Sequence, residues 1–150
     1  MIMNNQTLLD LDSMQDDTLD DIAEAPDYIN PPAGDYRLLT VGGKINSFTN
    51  DDGVTSQNFT VTIAVQETLE LVDDLEPPVP EGSLFTIRFY GTHEGLAKLK
   101  REVRKMANVE SLTGTSLRNI SELLESGLEF NGRVSYSKFK GKEFLKLTVK

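Results

Sequence analysis

Between Asn58 and Val65 the sequence reads NFTVTIAV, so that Phe59, Val61, Ile63 and Val65 alternate with Asn58, Thr60, Thr62 and Ala64. Apolar residues at every second position fall on one side of a pleated strand, so this segment buries one face and turns the other outward. A lone strand leaves its backbone N–H and C=O groups unpaired, and the rest of the chain must therefore supply neighbours for it. Candidates are present on both sides. DYRLLTVGGKINSF is rich in β-formers and interrupted by Gly42-Gly43, a pair that predicts a bulge or sharp bend. TNDDGVTS then predicts a turn around Asp52-Gly53. LFTIRFY places Phe85, Ile87 and Phe89 on one side and Thr86, Arg88 and Tyr90 on the other. The chain closes with LEFNGRVSYSKF, a KGK tip and EFLKLTVK, which reads as a hairpin. The acidic, Pro-rich stretch ETLELVDDLEPPVPEGS reads as a long connection.

Two helical patterns interrupt the strands. Thr92 predicts an N-cap for a helix over His93–Ala107, with Leu96, Leu99, Val103 and Met106 on one stripe. Ser116 predicts the cap of a shorter helix ending near Gly127, carrying Leu117, Ile120, Leu123 and Leu124. The order β-β-β-α-α-β-β fits a mostly β domain, and specifically a five-stranded OB-like barrel with a helical connection between strands three and four. An unclosed α+β sheet with a helical pair on one face fits the same order. With 150 residues, there is room for one domain with a real core.

Charge is distributed unevenly. The net charge of −9 would argue against a nucleic-acid partner, yet residues 1–30 hold eight acids and no base, whereas residues 88–150 hold thirteen bases and seven acids. High charge with no aromatic before Tyr28 predicts that residues 1–30 are a disordered acidic tail, ended by Pro31 and Pro32, with the domain over 31–150. Within it Leu8, Leu9 and Leu11, followed by Asp16, Asp17, Asp20 and Asp21, form a candidate partner-binding segment. A tethered polyanion is also expected to compete with nucleic acid for a basic groove. There is no Cys, and the apolar runs are too short to span a membrane. The start lacks the basic patch and apolar run of a secretory signal, so a cytoplasmic location is expected.

Catalytic patterns are missing. The one His, His93, sits at a helix start, and Val41-Gly42-Gly43-Lys44 lacks the phosphate-loop spacing. The tail acids lack calcium-loop spacing, and no Ser has a His–acid partner, so no enzyme activity, metal or cofactor is expected. Binding has more support. If Leu145, Leu147 and Val149 face the core, alternation turns Phe144, Lys146 and Lys150 outward. Arg133 falls outward on the preceding strand, Phe139 lies near the tip, and Lys138, Lys140 and Lys142 surround it. Arg88 and Tyr90 share the outward side of the third strand. Bases stack on aromatic rings while Lys and Arg neutralise phosphates, so this mixture suits single-stranded nucleic acid, DNA or RNA. Lys98, Lys100, Arg101, Arg104 and Lys105 on the first helix read as a solvated face.

PPAGDYRLL, the Phe-rich strand followed by GTHEGLAKLKREVRKM, and the closing FNGRVSYSKFKGKEFLKLTVK resemble small phage-encoded proteins of replication and recombination regions. The resemblance implies an OB-like single-stranded DNA-binding protein, working in the host cytoplasm, whose acidic tail recruits replication or recombination proteins. Family members carry that tail at the C-terminus, and here the acids are N-terminal. The competing expectation is an OB-like protein-interaction or virion module, or an acidic DNA mimic, without nucleic-acid affinity.

Overall fold

A computed structural model of the chain describes residues 8–20, 25 and 27–150. Five strands form one antiparallel sheet: β1 (Gly34–Thr49), β2 (Thr55–Leu71), β3 (Leu84–Tyr90), β4 (Glu129–Phe139) and β5 (Lys142–Val149), in the order β3-β2-β1-β4-β5. Helices α1 (His93–Ala107) and α2 (Leu117–Glu125) lie between β3 and β4 in sequence. The domain is thus mostly β with two helices, as the patterns predict, and its sheet is open: among the described residues no ladder joins β3 to β5. The helix α1 lies against β3, β4 and β5, between the two edges of the sheet.

The alternation in β2 has the expected consequence. Val61, Ile63 and Val65 are fully buried, and Leu38, Thr40 and Gly43 of β1 and Phe85, Ile87 and Phe89 of β3 share their side of the sheet. On β4 and β5, Phe130, Val134, Tyr136, Leu145, Leu147 and Val149 complete the inner side. The register slips between Thr40 and Gly42, so Val41 is the extra residue of the bulge that the glycine pair announces. Gly43 is required by packing: a Cβ there would stand 2.6 Å from the Phe59 ring and 2.7 Å from Leu124 Cδ1 of α2. Turn chemistry closes the β1–β2 loop, where Asn50 Oδ1 accepts from the backbone N–H groups of Asp52 and Val54.

Both helices start where their caps predict. Thr92 Oγ1 accepts from Gly95 N at 3.0 Å, and α1 buries Leu99, Val103 and Met106. Gly95 lets the first turn press on the end of β3, since any Cβ would collide with the Tyr90 carbonyl. Ser116 and Asn119 form a reciprocal capping box for α2, which buries Ile120 and Leu124 over β1.

Two segments differ from the sequence expectation. Glu67–Leu71, read as part of a connection, continues β2, because this stretch pairs with the start of β1 from Gly34 to Arg37. The composition that marks it as a loop reflects its outward Glu residues, which a strand tolerates on a solvated side. Asp27–Ile29, placed in the tail by composition, add to the sheet edge: Leu84 N donates to Asp27 O, and Ile29 N donates to Leu84 O. Two tyrosines hold the following prolines, Tyr36 Oη donating to Pro32 O and Tyr136 Oη to Pro31 O. Burial pushes the Tyr36 hydroxyl up to about 12, with Tyr136 and Glu76 adding to the shift. Burial raises Tyr136 as well, followed by the nearby Glu143. Further toward the N-terminus, residues 8–20 carry one 3-10 turn, Asp12–Met14, with no buried residue.

Candidate nucleic-acid interface

The outer side of the sheet carries most of the residues that the sequence nominates, and cross-strand pairing places them in rows. On β4 and β5, Phe139 faces Lys142, Ser137 faces Phe144, Ser135 faces Lys146, and Arg133 faces Thr148. Directly opposed residues of an antiparallel pair share one face. Phe139, Lys142, Phe144 and Lys146 therefore stand together on the solvent side, with Phe139 64% and Phe144 46% exposed. Lys140 and Gly141 form the two-residue turn, with φ of 52° and 78°, a pairing of positive φ values that suits a tight hairpin. The Lys140 ammonium lies 5.4 Å from the Phe139 ring centroid, within cation–π range. Lys138 is opposed by Glu143 and so lies on the other side of the hairpin, away from this group.

Arg88 and Tyr90 stand in a second group. Lys44, Thr60 and Arg88 make one row across β1, β2 and β3, and Asn46, Asn58 and Tyr90 make the next. Phe48 follows beside Ser56. Tyr90 is 71% exposed and Phe48 48% exposed, so both rings are open to a stacking partner. Beneath them, Asn46 Nδ2 donates to Thr60 Oγ1 at 2.7 Å, and Thr60 Oγ1 donates to Asn58 Oδ1 at 2.9 Å. This relay satisfies the hydroxyl and fixes both amides, leaving a rigid polar floor below Tyr90 and Lys44. Lys44, Asn46 and Phe48 were not nominated from sequence. Their signal was the glycine pair: the bulge at Val41 reverses which alternate residues of β1 face outward, and only the register reveals that parity.

Between the two groups the face is charge-compensated. Arg133 donates through Nε and Nη2 to the Asp35 carboxylate at 2.8 and 3.0 Å, and Lys150 Nζ lies 3.0 Å from the same group. The Arg133 hydrogen bond, then that of Lys150, holds the Asp35 carboxyl well below the usual carboxylate range. The same pairing raises the Arg133 pKa. Next to it, Arg37 donates to Glu129 at 2.7 Å. Arg133 is thus engaged within the protein, while Lys44, Arg88, Lys142 and Lys146 form no ion pair among the described residues.

Of the tail candidates, Leu8, Leu9, Leu11, Asp16, Asp17 and Asp20 are exposed and touch none of this face through hydrogen bonds or ion pairs, and Asp21 lies outside the described residues. Among the described residues no three His, Asp or Glu side chains converge as a metal site, and no helix is long and apolar enough to cross a membrane. Comparison of the chain with protein-family models, with curated proteins and with solved structures returns no match.

Proposed function

We propose that this chain is a non-enzymatic single-stranded DNA-binding protein of phage replication, recombination or repair, acting in the host cytoplasm. The observation that carries the proposal is the interleaving of exposed rings with unpaired cations on one sheet face: Phe139, Lys142, Phe144 and Lys146 at one end, Lys44, Phe48, Arg88 and Tyr90 at the other. Rings stack bases of any identity and cations take phosphates, so binding is strong in salt-dependent terms and weak in sequence preference. The fold reading that goes with it is an OB-like barrel open between β3 and β5, with α1 in the gap. OB barrels bind oligonucleotides on the face of strands two and three and at the loops joining strands one to two and four to five. Arg88 and Tyr90 occupy the first of these places, and the Lys140-Gly141 hairpin occupies the last. In this reading the acidic N-terminal segment, with Leu8, Leu9 and Leu11, recruits replication or recombination proteins.

Fluorescence anisotropy of labelled oligo-dT, titrated with the full chain over a salt series, tests the proposal, with oligo-rU as the RNA arm. Affinity that falls with salt is the expected result. Phe144→Ala is expected to weaken binding by about 1–3 kcal/mol if its ring stacks a base. More than half of this residue is covered in the fold, so the variant's thermal transition is measured beside the parent's and its binding is read well below both. No anisotropy change at any salt concentration would overturn the proposal in favour of a protein-binding module.

A further inference from the structure

The densest group of cations in the chain lies away from the sheet face. Lys98, Lys100, Arg101, Arg104 and Lys105 fall within two turns of α1. Lys98 reaches Glu94 at 3.6 Å and Arg101 Nε reaches Glu102 at 2.8 Å, leaving Lys100, Arg104 and Lys105 without an ion pair among the described residues. A helix surface of this kind usually serves only to keep the helix wet and to offset its dipole at the C-terminal end. Here it also forms one wall of a concavity. Lys100, Arg101 and Arg104 face the loop Glu110–Thr113 across a cleft of about 230 Å³, with Leu112 half-buried in its lining. The loop is braced from within, since Ser111 Oγ accepts from Thr113 N at 3.0 Å. Glu110 is the one acid on the wall.

We propose that this cleft holds the acidic N-terminal segment of the same chain. Charge complementarity identifies the occupant: residues 1–30 carry eight acids and no base. The cations of the sheet face are spread along two ends of a long surface, whereas those of α1 are adjacent, so that their attractions for one acidic segment add. The segment also brings Leu8, Leu9 and Leu11, exposed and unpartnered, to a cleft whose lining includes Leu112. Reach is not limiting. From its anchor at Tyr28 back to Asp10 the chain extends up to about 60 Å, more than the width of a domain of this size. Tethering raises the effective concentration of the segment to about the millimolar range, enough for weak, exposed ion pairs to hold it. Docked there, the acids leave the stacking face open, so the segment would be stored without competing with DNA. This assignment deepens the nucleic-acid reading but does not depend on it, because it concerns contacts within the free chain.

Zero-length carbodiimide crosslinking of the full chain, read by mass spectrometry, tests it. The reagent joins a carboxylate to an amine only where they touch. Expected are links from Asp10, Asp12, Asp16, Asp17 or Asp20 to Lys98, Lys100 and Lys105. In the double variant Lys100→Glu, Arg104→Glu the links to Lys98 and Lys105 should fall about tenfold, as loss and reversal of two exposed attractions implies. A milder Lys100→Gln, Arg104→Gln pair gives the same direction should the reversal disturb folding. Three results would overturn the assignment: tail links mainly to Lys44, Lys140, Lys142 or Lys146, no tail links, or links found only between differently labelled copies in an isotope mixture.

Discussion

Asp35 shows how a single carboxylate shapes both stability and the binding face. It sits on the outer side of β1, its side chain 15% exposed, where Arg133 and Lys150 converge on it. Because its folded pKa lies below the unfolded value of about 3.9, the stability it contributes is fully present above that value. That contribution is lost as pH falls through the folded pKa. Asp35→Asn should therefore lower the urea midpoint at pH 7 by the equivalent of about 1 kcal/mol, since the pairs are solvent-screened. Below about pH 4 the difference between variant and parent should shrink, because the parent loses the same charge by protonation. A difference that stays constant between pH 7 and pH 2 would show that the carboxylate acts through packing and not through its charge.

At the scale of elements, the decisive joint is between α2 and β1. Thr40 is buried on the inner side of β1, and its hydroxyl donates to Leu124 O at 2.7 Å and accepts from Leu128 N at 2.8 Å. One side chain thus closes the end of α2 and the start of β4 onto the central strand. Thr40→Val keeps the shape and the β preference but strands two backbone groups, and a loss of about 2 kcal/mol is expected in chemical denaturation. Thr40→Ser should recover most of it. A Val variant as stable as the parent would mean that water replaces the hydroxyl. The elements themselves were legible in the sequence, down to the helix starts at Thr92 and Ser116, because alternation, stripes and caps are local signals. Legibility failed where pairing is non-local. Glu67–Leu71 looks like a loop until β1 is set beside it, and Tyr28 looks like tail until Leu84 is its neighbour. The role of Thr40 was equally hidden, since its partners are more than eighty residues away.

For the whole molecule, the sequence identified most of the exposed rings and bases but not their grouping. Alternation correctly turned Phe144, Lys146, Arg88 and Tyr90 outward, yet it could not separate Lys138 from Lys142, or reveal that Arg133 is held by Asp35. Nor could it place Lys44 and Phe48, whose side depends on the bulge at Val41. The grouping has a physical consequence for binding. Along β1 the row of Lys44 and the charge-compensated row of Asp35 and Arg133 are separated by up to about 30 Å of strand, and the Lys146 and Lys142 rows lie beyond it toward the hairpin tip. A short strand can engage one end of the face, and a long one both. With Lys44, Arg88, Lys142 and Lys146 engaged together, log K should fall with log salt at a slope of about −3, following the single-strand coefficient of about −0.7 per phosphate. An oligo-dT of about 4 nucleotides, at the low end of OB-type site sizes, should give about half that slope, and one of about 16 nucleotides the full value. Lys142→Gln with Lys146→Gln should then bring the long oligonucleotide down to the short one's slope while leaving Tyr90 stacking intact. Equal slopes for both lengths would mean that only one end of the face meets the strand, and the double variant would say which: a slope near zero assigns the β4–β5 hairpin, an unchanged slope the β1–β3 rows.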